Sequence, residues 1–136
     1  MRVVIDTNVL IATINRKNPE FFIYQAFAKK TFEWVVSTEI LMEYAEKITE
    51  YYSSSTADFI LRAICIANNT IFAEPHFRWN LINEDPDDNK FADLAISVNA
   101  FCLITYDKHF DILSDIEFPT LKVVTPTEFK KIIDII

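Results

Sequence analysis

The hydrophobic positions of this chain alternate between short, mostly apolar runs and longer stretches with a helical period. Apolar runs typical of buried strands lie at residues 3–5, 34–36, 71–73, 101–105 and 121–124. Between them, apolar residues recur at the i, i+3, i+4, i+7 spacing of amphipathic helices. Strands that are apolar throughout and separated by helices indicate a parallel sheet covered on both faces. We therefore expect a three-layer α/β/α sandwich around a central, mainly parallel sheet of four to five strands.

The size and composition of the chain fit one folded domain. With 136 residues, 51% of them hydrophobic, we expect a single domain over residues 1–136. The formal net charge of −7 excludes a protein that is basic overall and clamps nucleic acid, although a local basic patch remains open. Charge follows Met1 too soon for a signal peptide, and no run of 18 apolar residues exists, so we expect a cytoplasmic protein without a membrane span.

The absence of glycine excludes several classes of enzyme. Walker A loops, dinucleotide-binding GxGxxG loops and the nucleophile elbow all require glycine. Turns with positive φ must then use asparagine, and Asn68, Asn69 and Asn99 at apparent helix ends are the candidates. Two distant cysteines, Cys65 and Cys102, cannot build a zinc finger or a disulfide framework, and we expect both to be buried free thiols.

Acidic residues stand where the predicted strands end. Asp6 directly follows the first strand, and Asp107 follows the strand that ends at Thr105. Because the carboxyl ends of parallel strands meet at one edge of a sheet, both should lie at the functional edge. Asp88, at a helix start, projects toward the apolar face of its helix, whereas Asp93 projects to the opposite side and should be solvated.

The sequence does not decide whether Glu43 and Asp87 belong to the site. Among the glutamates of the helix after the second strand, Glu43 lies nearest the apolar stripe by a small margin, and helical geometry does not exclude Asp87.

Two carboxylates 4 Å apart repel by about 4 kcal/mol at an effective dielectric near 20, so convergent acids need protons or a cation. Oxygen-only donors favour Mg²⁺ or Mn²⁺, ions suited to phosphoryl chemistry. Each acid taken alone is better explained as a cap, turn or surface residue.

Three stretches of the sequence resemble the PIN domain, the nuclease module named for the PilT N-terminus. Residues 4–10 (VIDTNVL) match its opening motif, residues 85–91 (DPDDNKF) match its D-P-x-D segment, and residues 103–108 (LITYDK) match its T-x-D element. Glu43-Tyr44 is a weaker fourth match. The tail at residues 125–129 (TPTEF) is similar to the branch that includes toxins of toxin–antitoxin pairs.

The resemblance implies a metal-dependent endoribonuclease that leaves 5′-phosphate and 3′-hydroxyl ends. One or two Mg²⁺ or Mn²⁺ ions would bind at four acidic ligands that also form the catalytic set, namely Asp6, Glu43, Asp88 and Asp107. Asn8 would orient Asp6 or contact the water on the metal, and the hydroxyl of Thr105 would support the same pocket. The resemblance to toxin-like members also implies a small antitoxin partner over the active-site groove and a homodimer.

RNA must approach an acidic pocket, so basic side chains around its rim are the candidate contacts. These are Arg16, Lys17, Arg78 and Lys108, with Trp79 beside Arg78 as a stacking surface for a base. Each cation is otherwise explained as a solvated surface charge.

Two alternative functions remain. The first is a silent PIN-like module that binds RNA or a protein without cutting. The second is a phosphatase of the haloacid-dehalogenase type, which also places Asp after the first strand. That class requires a second Asp two residues on, where this chain has Asn8, and the sequence argues against it.

Overall fold

The structure is a computed structural model that describes residues 1–83 and 85–135. Five strands form one sheet in the order β3-β2-β1-β4-β5, and every neighbouring pair is parallel. They are β1 (Arg2–Ile5), β2 (Glu33–Val36), β3 (Thr70–Phe72), β4 (Cys102–Ile104) and β5 (Val123–Val124). The predicted α/β architecture with a parallel sheet is confirmed.

Helices flank this sheet. They are α1 (Thr7–Ile14), α2 (Phe21–Ala28), α3 (Thr38–Tyr51), α4 (Ser54–Ile66), α5 (Asn89–Ser97) and α6 (Pro126–Ile135), with 3₁₀ helices at Pro86–Asp88 and Lys108–Asp115. Ser37 caps α3, since its hydroxyl accepts the N–H of Ile40 at the start of that helix. None of the helices in the described ranges combines the length and the apolar character needed to cross a bilayer.

The order of the strands creates a crevice beside β1. The chain moves outward from β1 through β2 to β3, then returns to the other side of β1 for β4 and β5. The strand order therefore reverses between β1 and β4, and open α/β sheets bind ligands at the carboxyl ends of the strands at such a point. The register pairs Ile5 with Ile104, and the N–H of Asp6 donates to the carbonyl of Ile104 at 3.0 Å.

A buried tyrosine connects the aromatic core to the end of β1. Trp34 on β2 contacts Phe27 and Tyr44 edge to face, and both Trp34 and Tyr44 are almost fully buried. The Tyr44 hydroxyl accepts the indole N–H of Trp34 at 3.3 Å and donates to the carbonyl of Ile5 at 2.5 Å. This chain of hydrogen bonds fixes α3 against the strand that precedes Asp6.

Left-handed backbone occurs without glycine at three described residues, Lys30, Asn80 and Asn99, with φ of 62°, 52° and 50°. The expectation is confirmed for Asn99 and wrong for Asn68 and Asn69, and Lys30 shows that positive φ is not restricted to asparagine here. Asn69 instead uses its side-chain amide, which donates to the carbonyls of Phe27 and Phe32 and ties the turn before β3 to the end of α2.

The two cysteines differ in environment. Cys102 on β4 is buried as expected, but the expectation for Cys65 is wrong, because its side chain is exposed. Cys65 follows Ile64 on α4, and the buried stripe of that helix contains Ile60 and Ile64, so the next position turns outward.

Replacing Tyr44 with Phe should lower the free energy of unfolding by about 1–3 kcal/mol, because a buried donor and acceptor lose their partner. Urea denaturation measures this change. Tyr51→Phe is the matched control on the same helix, since Tyr51 is exposed, and it should leave the stability unchanged. Equal stability of both variants would show that the buried hydroxyl contributes nothing.

Candidate metal centre

Two acidic side chains enter the crevice from the central strands. Asp6 follows β1 directly and forms the N-cap of α1. Asp107 follows β4 and forms the N-cap of the 3₁₀ helix Lys108–Asp115. Because β1 and β4 are neighbouring parallel strands, both carboxylates lie at one edge of the sheet, where the sequence places them.

The carboxylate of Asp6 is held in one orientation by two donors. Its Oδ1 accepts the N–H of Thr7 at 2.8 Å, and its Oδ2 accepts the hydroxyl of Thr105 at 2.7 Å. The same Thr105 hydroxyl accepts the N–H of Asp107 at 2.9 Å. Thr105 therefore couples the positions of the two strand-end acids.

Glu43 reaches the crevice from α3 and is also held by two donors. The hydroxyl of Thr7 donates to its Oε2, and the ammonium of Lys90 lies 2.7 Å from its Oε1. Lys90 projects from α5 and also donates to the carbonyl of Asp87 at 2.8 Å. The glutamate therefore carries its own counter-charge.

The tightest group of candidate ligand atoms lies at the entrance to α5. One donor atom from each of Asp85, Asp88, Asp107 and His109 lies within 4.8 Å of all the others. Asp107 also accepts the N–H of His109 at 2.8 Å, and the imidazole Nδ1 of His109 is 3.3 Å from the same carboxylate oxygen.

The pKa values of Asp88 and Asp6 are both raised. Burial is the main reason that the pKa of Asp88 rises to about 8, and the hydrogen bond with Asp107 and the charges of Asp6, Asp85 and Asp107 raise it further. Burial also raises the pKa of Asp6, although its hydrogen bonds with Thr105 and Thr7 oppose that shift. A cation placed among these carboxylates would reverse both effects.

An unpaired oxygen points to such a cation. Oδ2 of Asp88 is buried and has no hydrogen-bond partner within residues 1–83 and 85–135. A buried polar atom without a partner costs free energy that a bound ion would recover. It belongs to a hollow of about 200 Å³ lined by acids that include Asp6, Glu43 and Asp107. Hard divalent cations such as Mg²⁺ and Mn²⁺ prefer oxygen donors of this kind.

The structure brings the four predicted ligands to one hollow, to which Asp6, Glu43, Asp88 and Asp107 all contribute. The tightest group nevertheless contains Asp85 and His109 in place of Asp6 and Glu43. We give the larger hollow more weight, because Asp6 and Glu43 both line it and neighbouring donors hold their carboxylates in place. Asp85 lines the same hollow and joins the candidate ligands.

Sequence reasoning missed two residues that organise the site. Asn8 was expected to orient Asp6 or to contact water on a metal. It is exposed and lines the hollow, while its neighbour Thr7 makes the contacts to Asp6 and Glu43, so the contact to water stays a prediction. Lys90 was not singled out either. Both residues lie inside the matched motifs, Thr7 in residues 4–10 and Lys90 in residues 85–91. The motif matches could therefore have identified them as candidate site residues.

The expectation that Asp93 is solvated is wrong. Its side chain is buried, and its Oδ1 accepts the N–H of Trp79 at 3.0 Å. The reason is that the segment around Trp79 returns over the outer face of α5. Asp87, by contrast, is exposed at the rim of the hollow.

The predicted RNA contacts lie in three different places. Arg16 and Lys17 are exposed beyond the far end of α1, whose eight residues carry them about 12 Å from Asp6. Lys108 is exposed next to Asp107. Arg78 is exposed and Trp79 half-buried in the segment that covers α5.

A family model described as the PIN domain matches residues 2–109. The match spans most of the sequence, so this chain belongs to the PIN domain family, whose members are nucleases that generally use divalent metals. The resemblance noted in the sequence is thereby confirmed.

Two solved structures are similar in fold. The first is VapBC2 from Rickettsia felis, bound to a DNA fragment from its promoter, with a TM-score of 0.63 and 17% identity over 92% of this chain and 98% of that one. The second is VapC20 of Mycobacterium tuberculosis, described as a Sarcin-Ricin loop cleaving toxin, with a TM-score of 0.61 and 13% identity over 80% and 92% of the two chains. Identities this low show a common fold. No curated protein sequence matches the chain significantly.

The metal-free protein should lose stability as the pH rises from 5 to 8. Asp88 has a pKa of about 8 in the folded state, against about 4 in an unfolded chain, so folding takes up a proton in this range. Its contribution is complete below the unfolded value and disappears as the pH approaches the folded value. Thermal unfolding in EDTA should therefore show a falling Tm.

The Asp88→Asn variant is the control for this pH dependence. Asparagine does not titrate, so its Tm should fall less steeply over the same range. An identical slope in both proteins would mean that Asp88 does not hold the proton.

Proposed function

We propose that this protein is a metal-dependent endoribonuclease that hydrolyses RNA phosphodiester bonds. The observation that carries the proposal is the buried oxygen of Asp88, which lacks a partner in the described part of the chain and lies among carboxylates at the crevice beside β1. Membership of a nuclease family supports the same chemistry.

The residues that would hold one or two Mg²⁺ or Mn²⁺ ions are Asp6, Glu43, Asp88 and Asp107. A divalent ion bound there supplies a nucleophile from water at neutral pH and neutralises charge on the phosphate and on the leaving oxygen. The products expected from such hydrolysis carry 5′-phosphate and 3′-hydroxyl ends.

The chain itself contributes orientation and charge balance. Thr7 and Thr105 fix the carboxylate of Asp6, so it does not have to reorganise when substrate binds. The ammonium of Lys90 neutralises Glu43 at 2.7 Å and reduces the repulsion that an incoming phosphate meets. Lys47 lines the same hollow and adds a second positive charge at its rim.

We further propose that the protein is the toxin of a cytoplasmic toxin–antitoxin pair, with a small antitoxin as partner and a homodimer as its assembly. VapBC2, which shares this fold, supports an antitoxin partner. The antitoxin would lie over the acidic groove and block access to Asp6 and Asp107.

Asp6→Asn and Asp107→Asn should each reduce cleavage of defined RNA oligomers in Mn²⁺ by at least about 100-fold, because each removes a charge that holds the ion. Circular dichroism should show that both variants remain folded. Asp111→Asn is the matched control, an exposed acid in the same 3₁₀ helix as Asp107, and it should cleave at the wild-type rate.

Mapping of the RNA ends and a parallel digestion in EDTA complete this test. Full activity of a folded Asp6→Asn protein would overturn the ligand role. A wild-type protein that binds RNA but never cuts it would favour the silent module instead.

Manganese should also raise the Tm, because an ion that binds only the folded state stabilises it. At 100 times the dissociation constant the gain is about 2.7 kcal/mol. For a chain of this size that corresponds to roughly 10 °C. The shift should be small in Asp107→Asn, and no shift of the wild-type protein at millimolar Mn²⁺ would contradict a preformed site.

A further inference from the structure

The side chain of Lys90 leaves α5 and is fixed by three contacts. Its ammonium lies 2.7 Å from Oε1 of Glu43 on α3 and donates to the carbonyl of Asp87 at 2.8 Å. The same ammonium lies 5.5 Å from the ring centre of Phe91, within the range of a cation–π contact. Only 11% of the Lys90 side chain is exposed. This cation therefore has a defined position, unlike a lysine whose ammonium extends into water.

The position of Lys90 decides what else Glu43 can bind. Mg²⁺ binds carboxylate oxygens at about 2.1 Å, so an ion on Oε1 of Glu43 would lie within about 5 Å of the ammonium. Two cations at that separation repel each other. The other oxygen of Glu43, Oε2, already accepts the hydroxyl of Thr7. Lys90 and a divalent ion therefore compete for the same carboxylate.

Asp6 differs from Glu43 in the kind of donor that holds it. Its two oxygens accept hydrogen bonds from the N–H of Thr7 and the hydroxyl of Thr105, and both donors are neutral. A carboxylate has about four lone-pair positions, so neutral donors leave room for an ion and do not repel it. Asp6 remains available as a ligand, whereas Glu43 already has a cation.

Asp88 provides the oxygen that lacks a partner. Its Oδ2 is buried without a hydrogen bond to any residue of the ranges 1–83 and 85–135. A ligand atom of Asp88 and one of Asp107 lie within 4.8 Å of each other. One divalent ion beside these two residues would satisfy the free oxygen and leave the pair of Lys90 and Glu43 intact.

We propose that Lys90 takes the place of a second metal ion at Glu43, so that the centre binds a single divalent ion, held by Asp6, Asp88 and Asp107. This inference rests on the proposed function and narrows its one or two ions to one. Glu43 is then a positioning residue. It fixes Lys90 and the side chain of Thr7, whose N–H holds Oδ1 of Asp6.

Titration of the full chain with Mn²⁺ alone tests this inference. Isothermal titration calorimetry counts the bound ions, and electron paramagnetic resonance shows whether two of them are neighbours. Ions of a two-metal site lie about 3.5–4 Å apart and are spin-coupled. The wild-type chain should bind one Mn²⁺ with the spectrum of an isolated ion. A second ion of similar affinity, or a spin-coupled pair, would overturn the inference.

Variants at Lys90 should change the number of ions. Lys90→Met removes the ammonium and keeps a side chain of similar length, so it should bind two Mn²⁺ with a spin-coupled spectrum. Lys90→Arg keeps the charge and should bind one. Lys90→Met combined with Glu43→Gln removes the freed ligand and should also bind one. A single Mn²⁺ in Lys90→Met that circular dichroism shows to be folded would contradict the role of Lys90.

Lys131→Met is the matched control, because Lys131 is an exposed lysine on α6. This variant loses the same charge as Lys90→Met and should bind one Mn²⁺, like the wild type. A second ion in the control would show that any lost positive charge increases metal binding, and the inference would be wrong.

The number of ions is measured without RNA, so its outcome is separable from that of the ribonuclease proposal. A spin-coupled pair in a wild-type protein that cleaves RNA would remove the single-ion centre and leave the ribonuclease. One ion without any cleavage would remove the ribonuclease and leave the role of Lys90. A chain that binds no Mn²⁺ would overturn both.

Discussion

Electrostatic repulsion among carboxylates at one edge of the sheet is the constraint on which the rest of this molecule depends. The parallel sheet delivers Asp6 and Asp107 to neighbouring positions, and the turn before α5 adds Asp88. At an effective dielectric near 20 each close pair costs about 4 kcal/mol if both members are charged. The fold limits this cost by raising the pKa of Asp88 to about 8 and by donating hydrogen bonds to Asp6.

Some parts of the fold and of the site could be predicted from the sequence, and others could not. The sheet and its parallel strands followed from apolar runs, because strands buried on both faces need no alternation. The placement of the two strand-end acids followed from the parallel arrangement, since the carboxyl ends of parallel strands meet at one edge. Glu43 was ambiguous by helical angle alone, and its orientation depends on Thr7 and Lys90, residues on two other helices. Such contacts join distant parts of the chain and have no periodic signal.

Asp93 shows where the pattern misleads. The stripe of Phe91, Leu94 and Ala95 correctly predicts one buried face of α5, and the pattern assigns the opposite face to solvent. That face is instead covered by the segment around Trp79, which hydrogen-bonds to Asp93. The hydrophobic periodicity of a helix predicts which face packs against the core. It does not predict whether another segment of the chain packs on the opposite face.

Lys90 has a consequence for the charge balance of the whole centre. Asp6, Glu43, Asp88 and Asp107 amount to four negative charges when ionised, and the lysine ammonium offsets one of them permanently. Counting only these four acids and Lys90, one divalent ion would leave one net negative charge, whereas two would leave one net positive charge. Lys90 therefore neutralises part of the negative charge of these acids, which cations from solution would otherwise have to neutralise alone.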